Sequence, residues 1–260
     1  MAVQESKHCV RDISVRMRRG GRGEPLLFLH GAGGFPPWLP FFEQLAARYE
    51  VLVPEHPGFG KSDNPSWIRN IGDLAMYYLD FLDELGVAKV HLIGHSLGGW
   101  TAAELAVRNA GRLASLTLLA PAGIRVKGIP SGDNFIWGSE EGERNLFHDP
   151  SLADALVTST PTEEEADIEL TNRFMAAKFG WEPRWFNPSL ERWLHRIKVP
   201  TLVIWGEQDK LFPSAYAKVW KERVPNARVE IISQCGHRPH IEQLDVTARA
   251  VLGFLDGGQR

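Results

Sequence analysis

Gly94-His95-Ser96-Leu97-Gly98 is the stretch of the chain that decides its fold. It follows the apolar run at 90–93 directly and leads into Trp-Thr-Ala-Ala-Glu-Leu-Ala at 100–106, which favours a helix. The order predicts a strand, a sharp turn at Ser96 and a helix. At such a turn the serine takes a strained backbone conformation, and the flanking glycines remove side chains that would collide. The Ser96 hydroxyl then projects beside the positive end of the helix, as a nucleophile does.

Apolar runs of the same kind recur outward from this turn, at 26–29, 51–53, 116–119, 201–205 and 229–232. Because these runs are continuous, they predict strands buried on both faces. Helical patterns lie between them, the clearest at 73–85, where Gly86 supplies a C-terminal stop. Strands that alternate with helices predict an α/β fold with a mostly parallel sheet flanked by helices. The segment 10–17 alternates polar and apolar residues instead, which predicts an antiparallel edge hairpin.

The alternation of strands and helices breaks after 119 and resumes only at 199. This gap predicts a helical cap at 122–198, inserted between two parts of an α/β core at 1–121 and 199–260. The run Thr162-Glu163-Glu164-Glu165 resembles a helix start. Aromatic residues are concentrated in the cap, and we interpret them as an apolar underside that also serves as a small core. Trp137 and Trp185 are the predicted substrate contacts among them.

Composition excludes several classes of protein. The 260 residues carry 32 acidic and 29 basic side chains, a net charge of -3, so there is no positive field for nucleic acid or anionic lipid. Two distant cysteines, Cys9 and Cys235, indicate neither a disulfide framework nor a zinc site. No secretory signal and no membrane-spanning run is evident, so we expect a cytoplasmic protein without membrane or nucleic-acid partners. A homodimer is compatible with the sequence.

A serine nucleophile needs a base, and histidine is the commonest one. Nine histidines compete. His237 is favoured because it lies in Cys235-Gly236-His237, just beyond the run at 229–232, where a loop delivers a side chain to the carboxyl edge of the sheet. A carboxylate must then orient this histidine. Asp209 and Glu207, which follow the run at 201–205, are the candidates.

With these residues the chain resembles the α/β-hydrolase-fold enzymes over nearly its whole length. The resemblance implies a triad of Ser96, Asp209 and His237 in that chain order, with Asp209 preferred to Glu207 because it matches the acid loop of the family. It also implies an oxyanion hole made by the amide of Leu97 and a second amide from the loop His30-Gly31-Ala32-Gly33-Gly34. That second donor is Ala32, with Gly33 as the alternative. Gly31 and Gly33 let the backbone approach the substrate.

The resemblance also reaches the segment 54–62, which is a structural turn in the family. His56 and Ser62 are therefore interpreted as turn residues and not as catalytic ones. Enzymes of the epoxide hydrolase and haloalkane dehalogenase branches carry aspartate where this chain has Ser96. Their chemistry is therefore disfavoured.

The expected function is two-step acyl transfer to water without a metal or organic cofactor. A carboxylic ester with an apolar group is the first expectation for the substrate. A carbon-carbon bond hydrolase acting on a vinylogous diketone of the meta-cleavage type is the alternative, and its carboxylate-bearing substrate calls for a cap arginine. Candidates for it are Arg125, Arg144, Arg173 and Arg184. A receptor that binds a small apolar ligand under the cap is an alternative from another class.

Overall fold

The structure is a computed structural model that describes residues 3–157 and 161–257. Over these residues, eight strands form one sheet in the order β1-β2-β4-β3-β5-β6-β7-β8. The strands are β1 (Gln4–Val10), β2 (Ile13–Gly21), β3 (Pro25–Leu29), β4 (Glu50–Pro54), β5 (Val90–His95), β6 (Leu113–Leu119), β7 (Thr201–Gly206) and β8 (Ala227–Ile232). From β4 to β8 all pairings are parallel, whereas β2 runs antiparallel to β1 and β4. The predicted α/β fold class is confirmed.

The described chain contains ten α-helices. They are α1 (Pro40–Ala46), α2 (Ile71–Glu84), α3 (Leu97–Asn109), α4 (Ser139–Asn145), α5 (Ser151–Val157), α6 (Glu163–Gly180), α7 (Leu190–Trp193), α8 (Tyr216–Arg223), α9 (Pro239–Glu242) and α10 (Leu244–Gly257). One buried cluster packs α2 and α3 on the sheet, and a second packs α1 and α10 on the other face. Helices therefore cover both faces of the sheet. Within the described ranges no helix is both long and apolar enough to span a bilayer.

All six apolar runs predicted as strands lie inside β3 to β8. In β3 to β7 they are buried, because helices cover both faces of these strands. The prediction of burial on both faces is wrong for β8, where Glu230 and Ile231 are exposed. β8 forms the edge of the sheet, so one side of its backbone has no neighbouring strand.

The region between β6 and β7 contains α4, α5, α6 and α7, all inside the predicted cap of 122–198. Residues 158–160 of that prediction, with 1–2 and 258–260 of the predicted core, lie outside the described residues. Helix α6 begins with a capping box in which the Thr162 side chain and Glu165 satisfy each other's backbone amides.

The interpretation of the cap aromatics as one apolar underside is wrong in part. Phe147 and Phe179 are buried, as predicted for residues that face a core. Phe174, Trp181 and Trp193 are instead 62%, 56% and 50% exposed, so their rings point away from a core. The number of aromatic residues in a segment does not fix the direction in which each one points.

Candidate active site

Ser96 occupies a strained turn between β5 and α3, with φ 54° and ψ -115°. This left-handed φ is unfavourable for a residue with a side chain, and such strain is typical of functional sites. Gly94 and Gly98 must be glycines, because the surrounding backbone leaves no room for a side chain at either position. A Cβ on Gly94 would lie 2.3 Å from the Gly98 carbonyl oxygen, and one on Gly98 would lie 2.1 Å from that of Leu29. The backbone thus holds Ser96 at the carboxyl end of a central strand.

Ser96, His237 and Asp209 form an unbroken hydrogen-bonded chain. The Ser96 Oγ lies 2.9 Å from Nε2 of His237, and Nδ1 of His237 lies 2.7 Å from Oδ2 of Asp209. The carboxylate requires a proton on Nδ1, so Nε2 is the acceptor that faces the serine hydroxyl. All three residues are buried. The structure therefore brings together the three residues predicted as the triad, in the arrangement that a nucleophile, a base and an orienting acid need.

The Asp209 carboxylate is held by its own loop. Its Oδ1 accepts hydrogen bonds from the backbone amides of Leu211 and Phe212, at 2.8 and 2.9 Å, and its Oδ2 stays free for His237. These amides stabilise the ionised acid in a buried place. Glu207, the rival acid, is exposed and accepts a hydrogen bond from Gln208. The geometry therefore places Asp209, and not Glu207, at His237.

The loop at 30–34 lies against the turn at Ser96. A Cβ on Gly31 would lie 3.3 Å from that of Ser96, so Gly31 lets the two segments approach. The Gly34 amide closes a turn onto the Gly31 carbonyl oxygen at 3.2 Å. In the described part of the chain the amides of Ala32 and Gly33 have no acceptor. Since Leu97 is the first residue of α3, its amide has no acceptor within the helix either.

Two buried histidines, His30 and His56, form hydrogen bonds with the backbone of this loop. Nδ1 of His30 donates to the Gly31 carbonyl oxygen at 2.7 Å, which leaves Nε2 to accept the His56 amide at 3.0 Å. His56 in turn donates to the His30 carbonyl oxygen and bonds the Tyr78 hydroxyl. Burial lowers the pKa of His30 to about 4 and that of His56 well below its usual range, so both are neutral and keep these donor roles. His56 contributes to structure, as its place in the turn predicted.

The cap contacts the same loop through Asn172 of α6. Its Oδ1 accepts the Gly60 amide at 2.9 Å, and its Nδ2 donates to the Gly33 carbonyl oxygen at 3.3 Å. Asn172 is buried, and a Cβ on Gly34 would lie 2.2 Å from its Nδ2. The peptide that follows Gly33 is thus fixed from both sides. In the described chain Ala32 and Gly33 are thus among the loop residues whose amides have no acceptor, whereas the Gly34 amide is bonded.

A family model described as the alpha/beta hydrolase family matches residues 26–250. The chain belongs to the alpha/beta hydrolase family. It is 31% identical over 272 residues to a 2-hydroxy-6-oxononadienedioate/2-hydroxy-6-oxononatrienedioate hydrolase of Burkholderia vietnamiensis, a match that covers 94% of this chain and 91% of the relative. Among solved structures, a membrane phospholipase A is 28% identical with a TM-score of 0.81, over 99% of this chain and 87% of that one. The family resemblance predicted from the sequence is confirmed.

Another relative is much longer than this hydrolase. The dihydrolipoyllysine-residue acetyltransferase component of the acetoin cleaving system of Cupriavidus necator is 30% identical over 246 residues. The match covers 90% of this chain and 64% of that protein. This hydrolase therefore spans less than two thirds of that relative's length.

The four arginines predicted in the cap have partners at 140, 154, 169, 181 and 186, all within the segment 122–198. Arg144 pairs with Glu140 and Asp154, Arg173 is near Glu169, Arg184 stacks on Trp181, and Arg125 lies over Phe186. The structure instead places Arg238 of this hydrolase beside the loop at 30–34. One of its terminal nitrogens would lie 3.8 Å from a Cβ on Gly33, and both bind the Glu143 carboxylate of α4, at 2.8 and 3.0 Å.

The two predicted tryptophan contacts lie in different surroundings. Trp185 is 4% exposed, stacks on Phe135 and donates its Nε1 hydrogen to Asn134, so it packs inside the cap. Trp137 packs on Gly132, whose amide bonds the Leu211 carbonyl oxygen in the loop that holds Asp209. Substrate contact by either tryptophan stays a prediction.

The sequence analysis missed four residues that support the site of this hydrolase: His95, Asn172, Arg238 and Glu242. Asn172 and Glu242 carried no local signal, because their partners are 139 and 94 residues away along the chain. Arg238 had a signal, since it directly follows His237 in the loop that reaches the sheet edge. His95 lies next to Ser96 in the sequence, but its Nε2 lies 2.9 Å from the His237 carbonyl oxygen.

Proposed function

We propose that this hydrolase cleaves carboxylic esters of apolar small molecules through an acyl-enzyme on Ser96. The observation that carries the proposal is the continuous chain from Ser96 Oγ to Asp209 through His237, at 2.9 and 2.7 Å. This chain supplies a nucleophile, a neutral base of defined tautomer and a fixed carboxylate. The unbonded amides of the adjacent turn and loop supply the donors for an oxyanion.

The reaction takes two steps. Ser96 Oγ attacks the ester carbonyl carbon while its proton passes to Nε2 of His237, and the carbonyl oxygen becomes an oxyanion that accepts from the amides of Leu97 and Ala32. The oxyanion collapses, the bond to the alcohol breaks, and His237 returns the proton to the departing oxygen. Water then repeats the sequence on the acyl-enzyme, with His237 again as base, and releases the acid.

The apolar surroundings of His237 favour an apolar substrate. The Phe212 ring lies edge-on to His237, with the ring centroids 5.4 Å apart, and Phe147 lies beneath the guanidinium of the next residue, Arg238. Both rings are buried in the protein, so the base lies in apolar surroundings, and such surroundings favour a substrate with apolar groups.

A carbon-carbon bond hydrolase of the 2-hydroxy-6-oxo-dienoate kind is the second candidate. Two observations favour it: the relative from Burkholderia vietnamiensis carries that name, and Arg238 lies beside the oxyanion loop. Dienedioates are anionic, and an arginine that binds Glu143 through two nitrogens has the geometry for carboxylate.

The test compares both substrate classes on one preparation. Turnover of p-nitrophenyl and methyl esters of graded chain length is measured beside the loss of absorbance of a 2-hydroxy-6-oxo-dienoate. The proposal predicts that kcat/KM for the best ester exceeds that for the dienoate. A larger kcat/KM for the dienoate would favour the second candidate. Reaction of Ser96 with a fluorophosphonate, without turnover of either class, would favour a ligand receptor.

A further inference from the structure

The peptide units of His237 are bonded on both sides. Its amide donates to the Leu146 carbonyl oxygen of the cap at 2.8 Å, and its carbonyl oxygen accepts from Nε2 of His95 at 2.9 Å. His95 belongs to the nucleophile turn, whereas Leu146 directly follows α4. The backbone of the proposed base therefore lies between the serine turn and the cap.

Cap segment 146–149 lies directly on the loop that carries His237. A Cβ on Gly236 would lie 2.7 Å from the Leu146 carbonyl oxygen and 2.8 Å from the backbone of Phe147. The two segments leave no room for a side chain between them. Any shift of this cap segment away from the core would therefore withdraw the acceptor that the His237 amide uses.

One carboxylate joins the two segments. Oε1 of Glu242 accepts from the amides of His148 and Asp149 in the cap, both at 2.8 Å, and Oε2 accepts from the amide of Gly236 at 2.5 Å. The amides of His148 and Asp149 belong to the segment that carries Leu146, and the amide of Gly236 belongs to the loop that carries His237. Glu242 therefore bonds to both segments of the Leu146–His237 contact. An ionised carboxylate is acceptor-only and has enough lone pairs for three donors at once.

We propose that Glu242 is a positioning residue that fixes the His237 loop to cap segment 146–149, so that the docked cap sets the place of the base. The inference rests on the proposed function, in which His237 takes the proton of Ser96. Glu242 acts through the backbone and touches no reacting atom. Its effect is on the alignment of His237 Nε2 with Ser96 Oγ, and hence on kcat.

Replacement of Glu242 by glutamine changes the charge and the number of hydrogen-bond acceptors but keeps the volume of the side chain. Its single carbonyl oxygen accepts two amides at most in this arrangement, and its amide nitrogen turns a donor toward the remaining N–H. Glu242→Gln thus retains the shape and loses one acceptor, whereas Glu242→Ala loses all three bonds. Glu230→Gln, on the exposed face of β8, is the matched control for a glutamate outside the site.

The experiment measures the second-order rate constant for labelling by a fluorophosphonate, then kcat and KM for p-nitrophenyl butyrate per labelled site. We expect Glu230→Gln to match the wild type, Glu242→Gln to be slower, and Glu242→Ala to lose about 100-fold in both labelling rate and kcat, the order that a 1 Å misplacement produces. KM stays near the wild-type value.

A residue with a merely structural role would behave differently. It would lower the number of sites that label and the melting temperature, and it would leave the labelling rate constant and kcat per labelled site unchanged. That result in Glu242→Ala, with wild-type enzyme that labels and turns over, overturns the inference and leaves the proposed function standing. Wild-type enzyme that does not label at all overturns both.

Discussion

Nε2 of His95 lies 2.9 Å from the carbonyl oxygen of His237, and so the residue before Ser96 holds the backbone of His237. The carbonyl group requires a proton on Nε2 of His95. Burial lowers the pKa of His95 well below its usual range, so the ring is neutral and carries that one proton. The serine turn and the base loop are therefore linked by a second bond besides the one between Ser96 and His237.

Removal of the hydrogen bond between His95 and the His237 carbonyl oxygen should change kcat more than it changes KM. In His95→Leu the His237 carbonyl oxygen is left buried without a donor, and we expect kcat for p-nitrophenyl butyrate to fall about 10- to 100-fold by misalignment. His95→Gln retains an N–H at a similar reach and should keep most of the activity. Steady-state kinetics of the two variants check this. Equal kcat in the leucine, glutamine and wild-type enzymes would contradict the positional role.

Replacement of Asn172 by aspartate should loosen the attachment of the loop at 30–34 to α6. The carboxylate still accepts the Gly60 amide, but its second oxygen faces the Gly33 carbonyl oxygen, where the amide group of Asn172 donates. We expect kcat/KM for esters to fall about tenfold or more, since one hydrogen bond is replaced by repulsion between two acceptors. Phe174→Ala on the exposed face of the same helix is the control. Wild-type kinetics in Asn172→Asp would show that the loop does not depend on the cap.

Glu143→Gln should change the charge preference of the site. The substitution removes the carboxylate from Arg238 and leaves its positive charge beside Gly33. For monomethyl adipate, which carries a carboxylate, kcat/KM should rise relative to uncharged methyl hexanoate by about 2- to 5-fold, as expected for a partly exposed charge pair. A pH-stat measures both esters, and the gain should shrink in high salt. An unchanged ratio would place Arg238 outside the path of the substrate.

Buried histidines should make the fold sensitive to acid. Burial lowers the pKa of His30 to about 4 and of His240 to about 3, from an ordinary value of 6.5. Below pH 6.5 these rings bind protons in the unfolded chain but stay neutral in the folded chain. The free energy of unfolding therefore falls as the pH is lowered from 6.5 toward 4. Each such histidine contributes a slope of about 1.4 kcal/mol per pH unit.

Guanidinium unfolding curves between pH 7.5 and pH 5 measure this slope. His240→Phe is the informative variant, because the ring packs on Phe28 and Phe41 and a phenyl ring suits those neighbours. Proton uptake on unfolding should fall by about one proton per molecule in this variant. The same slope in the variant and the wild type would show that His240 titrates normally in the folded chain.

Local patterns were sufficient to predict much of the fold. The run at 90–93, the glycines around Ser96 and the helix that follows are neighbours in sequence, so their turn is encoded where it forms. The same holds for Asp209, whose own loop amides bind it. Their meeting with His237 followed from topology, since parallel strands bring their carboxyl ends to one edge of the sheet.

Contacts between residues far apart in the sequence could not be predicted from such local patterns. Asn172 and Glu242 look like ordinary polar residues of a helix, and only the packing of the cap on the core brings each to its partners. The sequence also could not show that the Phe174 and Trp181 side chains face outward, because the cap has both buried and exposed aromatic residues. What could not be predicted is the interface between cap and core.

The identity of the acylated residue tests the central claim most directly. Enzyme mixed with p-nitrophenyl butyrate is quenched in acid within the first turnover, digested and examined by peptide mass spectrometry. The account predicts a butyryl group on Ser96, formed as fast as the first equivalent of p-nitrophenol, and neither butyrylation nor turnover in Ser96→Ala. A butyryl group on another residue, or wild-type turnover by Ser96→Ala, would contradict it.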